Sequence, residues 1–315
     1  MNKLHPFRFG LMKFSGGSSR QNWAEEARAI EAAGYSSLLL SDHLIIPLAP
    51  IACMVAAADA TTTLRIGSAV FGNDFRHPVF LAQEAAMIDL LSDGRLELGL
   101  GTGFYARDYE MSGIALDSPA VRVSRLEEAV HIIKGFFDEK PFDFTGQHYS
   151  AHGLQGLPKS VQKPHPPIAI GGGSRRILSF AAREADIVSV NIRTTAEGGF
   201  DMASLSADAT AQKVAWVREA AGERFDSLEL NVLVTKVSIT ENPRQVARDN
   251  LQESGLPTDT ESVDRWLESP SVLVGTIDQI VETLQMRRER YGFSYISVFE
   301  PMEPFVPVVE RLAGQ

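Results

Sequence analysis

The sequence predicts an α/β protein, specifically a (β/α)8 TIM barrel with insertion segments, because strand-like and helix-like segments alternate along its 315 residues. Four strand–helix units fill about the first 110 residues, which excludes the all-α and all-β classes. The alternation resumes after an irregular stretch at Lys140–Pro167 and gives about eight strands in total. Right-handed crossovers make such strands parallel and place the helices outside them. A doubly wound open sheet shows the same alternation and is the alternative architecture.

The predicted strands are short apolar runs bounded by glycine, proline or polar residues. Runs of this length are too short for helices and are typical of parallel strands buried on both faces. The eight runs lie at Phe7–Met12, Leu38–Ser41, Leu64–Val70, Arg95–Leu100, Ile168–Gly171, Ile187–Val190, Leu228–Val237 and Tyr295–Phe299.

Helices are predicted where apolar residues recur at helical spacing between these strands. One begins at Pro78 and is predicted to carry Gln83, Met87 and Leu91 along one stripe. The segment Asn191–Asp208 is rich in small polar residues and is predicted to be a mobile loop of the kind that forms lids. The other predicted helices lie at Trp23–Ile30, Ala49–Ala60, Leu126–Phe137, Ile177–Arg183, Asp208–Ala221, Arg244–Glu253 and Ile277–Arg290.

Composition and charge narrow the partners that the chain can have. Its hydrophobic content of 44% and charged content of 22% are those of a globular protein. The net charge of −10 argues against a general nucleic-acid or anionic-membrane surface, because both require a basic face. Cys53 is the single cysteine and cannot form an internal disulfide. Since Met1–Phe14 lacks a signal core and no run reaches transmembrane length, we expect one cytoplasmic domain spanning residues 1–315.

Asp42 and His43 are the first candidates for chemistry, because they directly follow the second predicted strand. Both β/α barrels and open α/β sheets place their ligands at this end of the strands. An imidazole titrates near pH ~6.5 when unperturbed, so His43 suits proton transfer near neutral pH. The alternative is that His43 merely caps the strand and bonds a loop carbonyl.

Two glycine-rich turns also follow predicted strands. Gly99–Gly103 lets the backbone approach a planar ligand, and the hydroxyl of Thr102 can bond a ring carbonyl or nitrogen. Gly171–Arg176 precedes a helix, where free backbone amides, the helix dipole and the guanidinium groups of Arg175 and Arg176 favour a phosphate. Gly99–Gly103 is a weak motif, since such strand ends are common in barrels, and Gly171–Arg176 has the spacing of neither a Walker loop nor a Rossmann fingerprint. The alternative is a plain strand-to-helix turn with solvated arginines.

Metal and nucleophile sites have little support in the sequence. His148 and His152 come nearest to the spacing of a metal-binding pair, but a glycine-containing loop surrounds them. The Gly-x-Ser-x-Gly elbow of many hydrolases does not occur. A phosphate site without these groups favours a phosphate-bearing organic cofactor that supplies the reactive centre.

On these residues the chain resembles the luciferase-like monooxygenase superfamily, in its coenzyme F420-dependent oxidoreductase branch. The similarity covers nearly the whole chain, and the order and spacing of its motifs are more specific than any one of them. The motifs are SDH at 41–43, LRIGSAV at 64–70, SDGRLELGLGTG at 92–103, SRLEEAV at 124–130, PPIAIGGGSRR at 166–176, SVLVGT at 271–276 and SYISVFE at 294–300.

The resemblance implies a barrel with an insertion, usually a homodimer, that binds coenzyme F420 or FMN at its C-terminal mouth. Position by position, it implies a non-prolyl cis peptide at Ala69–Val70 against the ring, Thr102 and Gly103 near the ring or ribityl chain, and a phosphate grip at Gly172, Gly173 and Ser174. It also places Asp42 and His43 beside the reactive carbon. The family's sugar-phosphate dehydrogenase has an acidic residue where this chain has Phe104, which argues against sugar-phosphate oxidation.

Three hypotheses follow. The first is an oxidoreductase that moves a hydride between coenzyme F420 and a small organic substrate, in which His43 exchanges the proton and Asp42 orients the imidazole or holds its charge. The second keeps the fold but uses FMN and oxygen as a monooxygenase. The third is a non-catalytic barrel that binds a flavin or acts as a partner protein.

Overall fold

Eight parallel strands form a closed barrel in the part of the chain that the computed structural model describes, residues 5–17, 19–195 and 199–315. They are β1 (Arg8–Lys13), β2 (Ser37–Leu40), β3 (Arg65–Ser68), β4 (Leu96–Gly101), β5 (Ile168–Gly172), β6 (Ile187–Val190), β7 (Glu229–Val234) and β8 (Phe293–Phe299). Each strand pairs with its neighbours in sequence, and β1 pairs with β8 to close the ring. Because a doubly wound sheet has two unpaired edges, this closure confirms the barrel and excludes the open alternative.

Alternating side chains along the strands build two layers of core, which explains the continuous apolar runs in the sequence. In β2, Leu38 and Leu40 belong to the large cluster packed between strands and helices, whereas Leu39 belongs to a small cluster inside the barrel. Met12, Ile187 and other interior side chains pack with Leu39. A strand enclosed on both faces is therefore apolar at successive positions, as Leu38–Leu40 is.

Two segments differ from their predicted structure. The predicted strand Leu228–Val237 leaves the barrel after Val234, because the backbone N–H groups of residues 235 and 236 bond to the carbonyl of Ser271. Lys236–Ile239 then pairs with Val272–Gly275 outside the ring. The stretch 140–167, predicted to be irregular, contains an antiparallel hairpin of two short strands, Phe142–Thr145 and Ser150–Leu154.

The helices surround the barrel, and most begin and end where the sequence predicts. They are α1 (Arg20–Ala32), α2 (Pro50–Ala60), α3 (Pro78–Leu91), α4 (Ala106–Ser112), α5 (Pro119–Phe137), α6 (Arg175–Glu184), α7 (Ala207–Ala221), α8 (Pro243–Glu253), α9 (Thr260–Glu268), α10 (Ile277–Tyr291) and α11 (Val306–Leu312). The prediction missed the short helices α4, α9 and α11. None of the described helices is both long and apolar enough to cross a membrane.

Helix α3 faces the barrel with a different stripe from the predicted one. Gln83, Met87 and Leu91 are exposed, and the helix instead buries residues such as Leu81, Ala85 and Ile88. The three residues do share one side of the helix, but α3 is apolar on both faces, so their spacing does not show which face is buried. The exposed side therefore carries large apolar side chains, with Met87 42% and Leu91 56% exposed.

Charged side chains close the N-terminal end of the barrel. Glu97 of β4 is 3% exposed and accepts hydrogen bonds from Arg8, from Nε of Arg65 at 2.6 Å and from the hydroxyl of Tyr295 at 3.1 Å. Arg8 also pairs with Glu229, with Nε to Oε1 at 2.6 Å. Burial opposes the charge of Glu97, but the two guanidinium groups outweigh it and hold its pKa below the ordinary value. We call these five side chains the barrel floor.

Candidate active site

His43 lies at the opposite end of the barrel, just after β2, and its imidazole is paired with a buried carboxylate. Nδ1 of the ring lies 2.5 Å from Oδ2 of Asp108 in α4. The other oxygen of Asp108 accepts a 2.9 Å hydrogen bond from the backbone N–H of Leu44. Asp108 is 1% exposed, whereas the side chain of His43 is 28% exposed. Within the described ranges no protein group bonds to Nε2 of His43, so this nitrogen is available to a ligand.

Asp42 does not contact the imidazole, which corrects the prediction that it orients His43. Its carboxylate accepts two hydrogen bonds from Arg76, at 2.5 and 2.9 Å, and one of 3.0 Å from the backbone N–H of Gly72. Adjacent residues of an extended chain point to opposite sides, so Asp42 and His43 reach different partners. Asp42 therefore anchors the segment that follows β3, and the carboxylate beside the imidazole is Asp108.

Aromatic rings surround the imidazole of His43. The rings of Phe104 and Tyr105 lie edge-on to it, with centroids 5.9 and 5.6 Å away. Phe200 packs on Phe104 at 5.3 Å and brings the chain that follows β6 over this part of the rim. The imidazole therefore lies in largely apolar surroundings apart from Asp108.

The segment from β3 to Val70 carries the cis peptide that the resemblance implied, since the Ala69–Val70 bond is cis. Both residues are half-buried at the rim. Two glycines of the neighbouring strand β4 fit against this segment. A Cβ on Gly99 would lie 1.8 Å from the carbonyl oxygen of Ser68, and one on Gly101 would lie 2.4 Å from a methyl of Val70. These glycines are therefore required by the adjacent chain, and not only by a ligand as we predicted.

Thr102 and Gly103 continue this turn, and both are partly exposed at the rim. Gly103 has a φ of +71°, which favours glycine, and its carbonyl accepts hydrogen bonds from the buried Arg122 and, at 3.1 Å, from the hydroxyl of Thr102. The Thr102 hydroxyl hydrogen is thus engaged within the protein, which leaves its oxygen to accept a bond from a ligand.

The predicted phosphate site divides into a part that the geometry supports and a part that it does not. Helix α6 begins directly after Ser174, whose side chain makes no capping bond to the first-turn amides. Those amides and the Ser174 hydroxyl are the groups that bind a phosphate at a helix start. Arg175 instead forms two 3.0 Å hydrogen bonds to Glu219, and Arg176 pairs with Glu127. We therefore do not assign either guanidinium to a phosphate.

Gly173 brings the start of α6 close to the chain that follows β6, and Gly172 leaves room for a side chain of α6 itself. A Cβ on Gly173 would lie 2.5 Å from the backbone nitrogen of Arg193, and one on Gly172 would lie 2.3 Å from a methyl of Ile177. Since all eight strands are parallel, the α6 start after β5 and His43 after β2 lie on the same rim. The two predicted halves of the site are thus brought to one mouth.

The predicted loop Asn191–Asp208 is structured on both sides of residues 196–198, which lie outside the described residues. The side chain of Lys213 donates 2.7 Å hydrogen bonds to the carbonyls of Asn191 and Ser204 and so joins the two arms of the loop to α7. Burial, with a smaller effect from Arg193, lowers the pKa of Lys213 to about 8. These bonds fix the position from which Phe200 reaches Phe104.

Sequence reasoning missed Asp108 and Arg76. Asp108 stands five residues after Gly103, in helix α4, which is too short to show a periodic pattern. Its position could have suggested a role, because it is an acidic residue in the connection after a glycine-rich strand end. This connection lies on the rim where the sequence also places His43. Arg76 lies two residues before α3, and nothing in the sequence links it to Asp42.

Comparison with known proteins gives the family. Residues 3–258 match the model of the luciferase-like monooxygenase family. The F420-dependent glucose-6-phosphate dehydrogenase of Amycolatopsis mediterranei is 30% identical over 173 residues, 51% of this chain and 50% of the relative. The flavin-dependent trigonelline monooxygenase oxygenase component of Acinetobacter baylyi is 30% identical over 133 residues, 42% of this chain and 36% of the relative.

The fold has a solved counterpart in the F420-dependent tetrahydromethanopterin reductase from Methanopyrus kandleri. That structure superposes with a TM-score of 0.75 at 16% identity and covers 97% of each chain, which supports the fold alone. The chain spans about half the length of the first curated relatives it matches. Its relatives include both F420-dependent and flavin-dependent oxidoreductases. From the match to the family model, the chain belongs to the luciferase-like monooxygenase family.

Proposed function

We propose that the protein is an oxidoreductase that transfers a hydride between the deazaflavin coenzyme F420 and a small organic substrate. The observation that carries this proposal is one imidazole with an available Nε2 on the same rim as a helix start whose capping hydroxyl is unused. The first group suits proton transfer and the second suits a phosphate. F420-dependent relatives of the chain support this choice of coenzyme.

The residues at the rim fit a phosphorylated tricyclic cofactor. The first-turn amides of α6 and the hydroxyl of Ser174 would hold the phosphate, and Gly172 and Gly173 let the chain pack closely enough to form this turn. Ala69–Val70 and Thr102 are the half-buried residues that would line the ring. When bound, the cofactor ring supplies the carbon that accepts or donates the hydride.

His43 would hold the proton that accompanies the hydride. Its Nε2 is the nitrogen without a protein partner in the described residues, so the exchange takes place at that atom. The edges of Phe104 and Tyr105 keep the space beside the ring apolar and limit the access of water to it. A positioned acid–base group of this kind contributes about 10²–10⁴-fold to the rate.

An FMN-dependent monooxygenase is the second candidate, and the similarity to the trigonelline enzyme favours it. The helix start after Ser174 would hold the phosphate of FMN as well as that of F420, because both cofactors share a ring, a ribityl chain and a phosphate. What separates the two functions is the partner of the reduced ring, which is an organic substrate in the first and oxygen in the second.

Cofactor titration tests the proposed function. We expect F420 to bind at micromolar levels and FMN more weakly, as measured by the change in cofactor fluorescence. The same deazaflavin without its phosphate should bind about tenfold or more weakly, because a hydrogen bond to a charged group contributes about 1.5–3 kcal/mol. Preferential FMN binding, with oxygen consumption by the reduced complex, would favour the second candidate. Failure of both cofactors to bind at micromolar levels would support the non-catalytic hypothesis.

Sugar phosphates are not expected to be substrates, because Phe104 replaces the acid of the sugar-phosphate dehydrogenases and packs against His43. Glucose 6-phosphate added to the F420 complex should therefore leave the F420 absorbance unchanged. Reduction of F420 by this sugar phosphate would contradict the inference from Phe104 while leaving the cofactor proposal intact.

We also propose that the exposed face of α3 binds a second copy of the chain. The exposed positions of this helix are Phe80, Gln83, Met87, Leu90 and Leu91, none of them charged. A two-fold axis packs such a face against itself, and large apolar patches are rare on monomers. Light scattering should give a mass of two chains for the wild-type protein, and the mass of a single chain for Leu91→Glu. Leu256→Glu, at a position 43% exposed and outside α3, is the matched control, and an unchanged mass for Leu91→Glu would refute the interface.

A further inference from the structure

We infer that Asp108 is a positioning residue that fixes the tautomer of His43, so that the neutral imidazole presents an unprotonated Nε2 to the mouth. The inference deepens the proposed function and rests on it for its catalytic meaning. The tautomer itself is a property of the protein alone and is tested without a cofactor.

The hydrogen bonds of Asp108 leave one arrangement of the proton. Its Oδ1 accepts from the backbone N–H of Leu44, which can only donate, and its Oδ2 lies 2.5 Å from Nδ1 of His43. An ionised carboxylate has only acceptors, so beside the ionised Asp108 it is Nδ1 that carries the hydrogen lying between them. In a neutral imidazole the other nitrogen then has a free lone pair.

The surroundings keep the ring in this orientation. Asp108 is 1% exposed and lies in the first turn of α4, so its carboxylate cannot turn to solvent. Phe104 and Tyr105 contact the imidazole edge-on from the same connection of the chain. Rotating the ring by a half turn would bring a carbon atom to Asp108 and leave a buried carboxylate oxygen without a partner, which is unfavourable.

The fixed tautomer defines what His43 does in the reaction. In an alcohol oxidation whose C–H electron pair the bound cofactor would accept as hydride, the unprotonated Nε2 of His43 would take the hydroxyl proton. The product is a carbonyl compound, and the imidazolium that forms is stabilised by the ionised Asp108. In the reverse direction Nε2 returns the proton to the oxygen.

The first experiment observes the tautomer directly. In the cofactor-free protein labelled with ¹⁵N-histidine, two-bond ¹H–¹⁵N correlations should show His43 with its hydrogen on Nδ1 at a pH where the ring is neutral. The spectrum of His43→Gln assigns the signal. A wild-type spectrum with the hydrogen on Nε2 would overturn the inference, whether or not F420 binds.

The second experiment changes the partner. In Asp108→Asn the side-chain amide can donate to Nδ1, so the hydrogen should move to Nε2 and the hydride transfer rate should fall by about 10²–10⁴-fold. The dissociation constant of F420 should stay within about threefold. Asp226→Asn, at an exposed position, is the matched control and should change neither readout.

The outcomes separate the inference from the proposed function. If Asp108 merely stabilised the turn at Leu44, Asp108→Asn would lower the melting temperature and leave the tautomer of His43 unchanged. Restoration of the Nδ1 hydrogen and of part of the rate by Asp108→Glu supports a positioning role. If F420 does not bind but the wild-type tautomer is as expected, the proposed function fails and the assignment of Asp108 stands.

Discussion

Replacing His43 by alanine is expected to lower the rate of hydride transfer by about 10²–10⁴-fold and to leave F420 binding nearly unchanged. The rate should fall because Nε2 is the acceptor that we propose for the substrate proton, and alanine offers no group in its place. Binding should be preserved because the proposed phosphate contacts lie at the start of α6, three strands away around the barrel. Single-turnover absorbance measurements give the rate, and fluorescence titration gives the dissociation constant.

The matched control is His131→Ala, which removes an exposed imidazole from α5. It should retain both the wild-type rate and the wild-type affinity. An unchanged rate in His43→Ala would remove His43 from the mechanism, and a loss of cofactor affinity in the same variant would show that His43 holds the ring instead of exchanging a proton.

Replacing Glu97 by alanine is expected to reduce the free energy of unfolding by about 3–5 kcal/mol, the largest stability effect that we predict. The substitution removes the buried carboxylate that Arg8 and Arg65 share, so that, among the described residues, Arg65 loses its ion pair and Arg8 keeps only Glu229. Urea unfolding at pH 7 measures the change. Because the pKa of Glu97 is lower in the folded than in the unfolded chain, its contribution is present at neutral pH and is lost as the pH falls below the ordinary glutamate range.

Glu219→Ala is the control for Glu97→Ala, since it also removes a carboxylate from an arginine. Its partner Arg175 is 62% exposed on its side chain, and exposed pairs contribute about 0–1 kcal/mol. Equal effects of the two substitutions would show that the barrel floor is no more stabilising than a surface ion pair. A changed urea slope would instead indicate that Glu97→Ala no longer unfolds in one step.

The sequence predicts the fold well because the strands of a parallel barrel appear in it as short apolar runs. Each strand is enclosed on both faces, so Leu38–Leu40 and similar runs stand out from the helices around them. Sequence patterns do not predict features that depend on more than local apolar spacing. Helix α3 is apolar on two sides, and Met87 and Leu91 point outward. The exit of the chain after Val234 likewise depends on a carbonyl of Ser271, remote in sequence.

Some residues of the candidate site could also be predicted from the sequence, and others could not. His43 and the turn at Ser174 could be predicted because each follows a strand directly and its position on the rim follows from the parallel sheet. The cis bond at Ala69–Val70 followed from the resemblance and is present. The carboxylate beside His43 could not be assigned, because Asp42 is adjacent in sequence but turned away, and Asp108 is distant in sequence but 2.5 Å away in space.

Because the barrel floor closes the N-terminal end of the barrel, only the opposite rim is open to a ligand. Glu97 and its arginines stand at one end of strands whose other end carries the rim, so fold stability and chemistry occupy separate regions of the same strands. Substitutions that reshape the rim connections leave the floor unchanged, and new substrates can evolve on a scaffold whose stability is already secured. Relatives that use different coenzymes within one architecture are the outcome expected of such a separation.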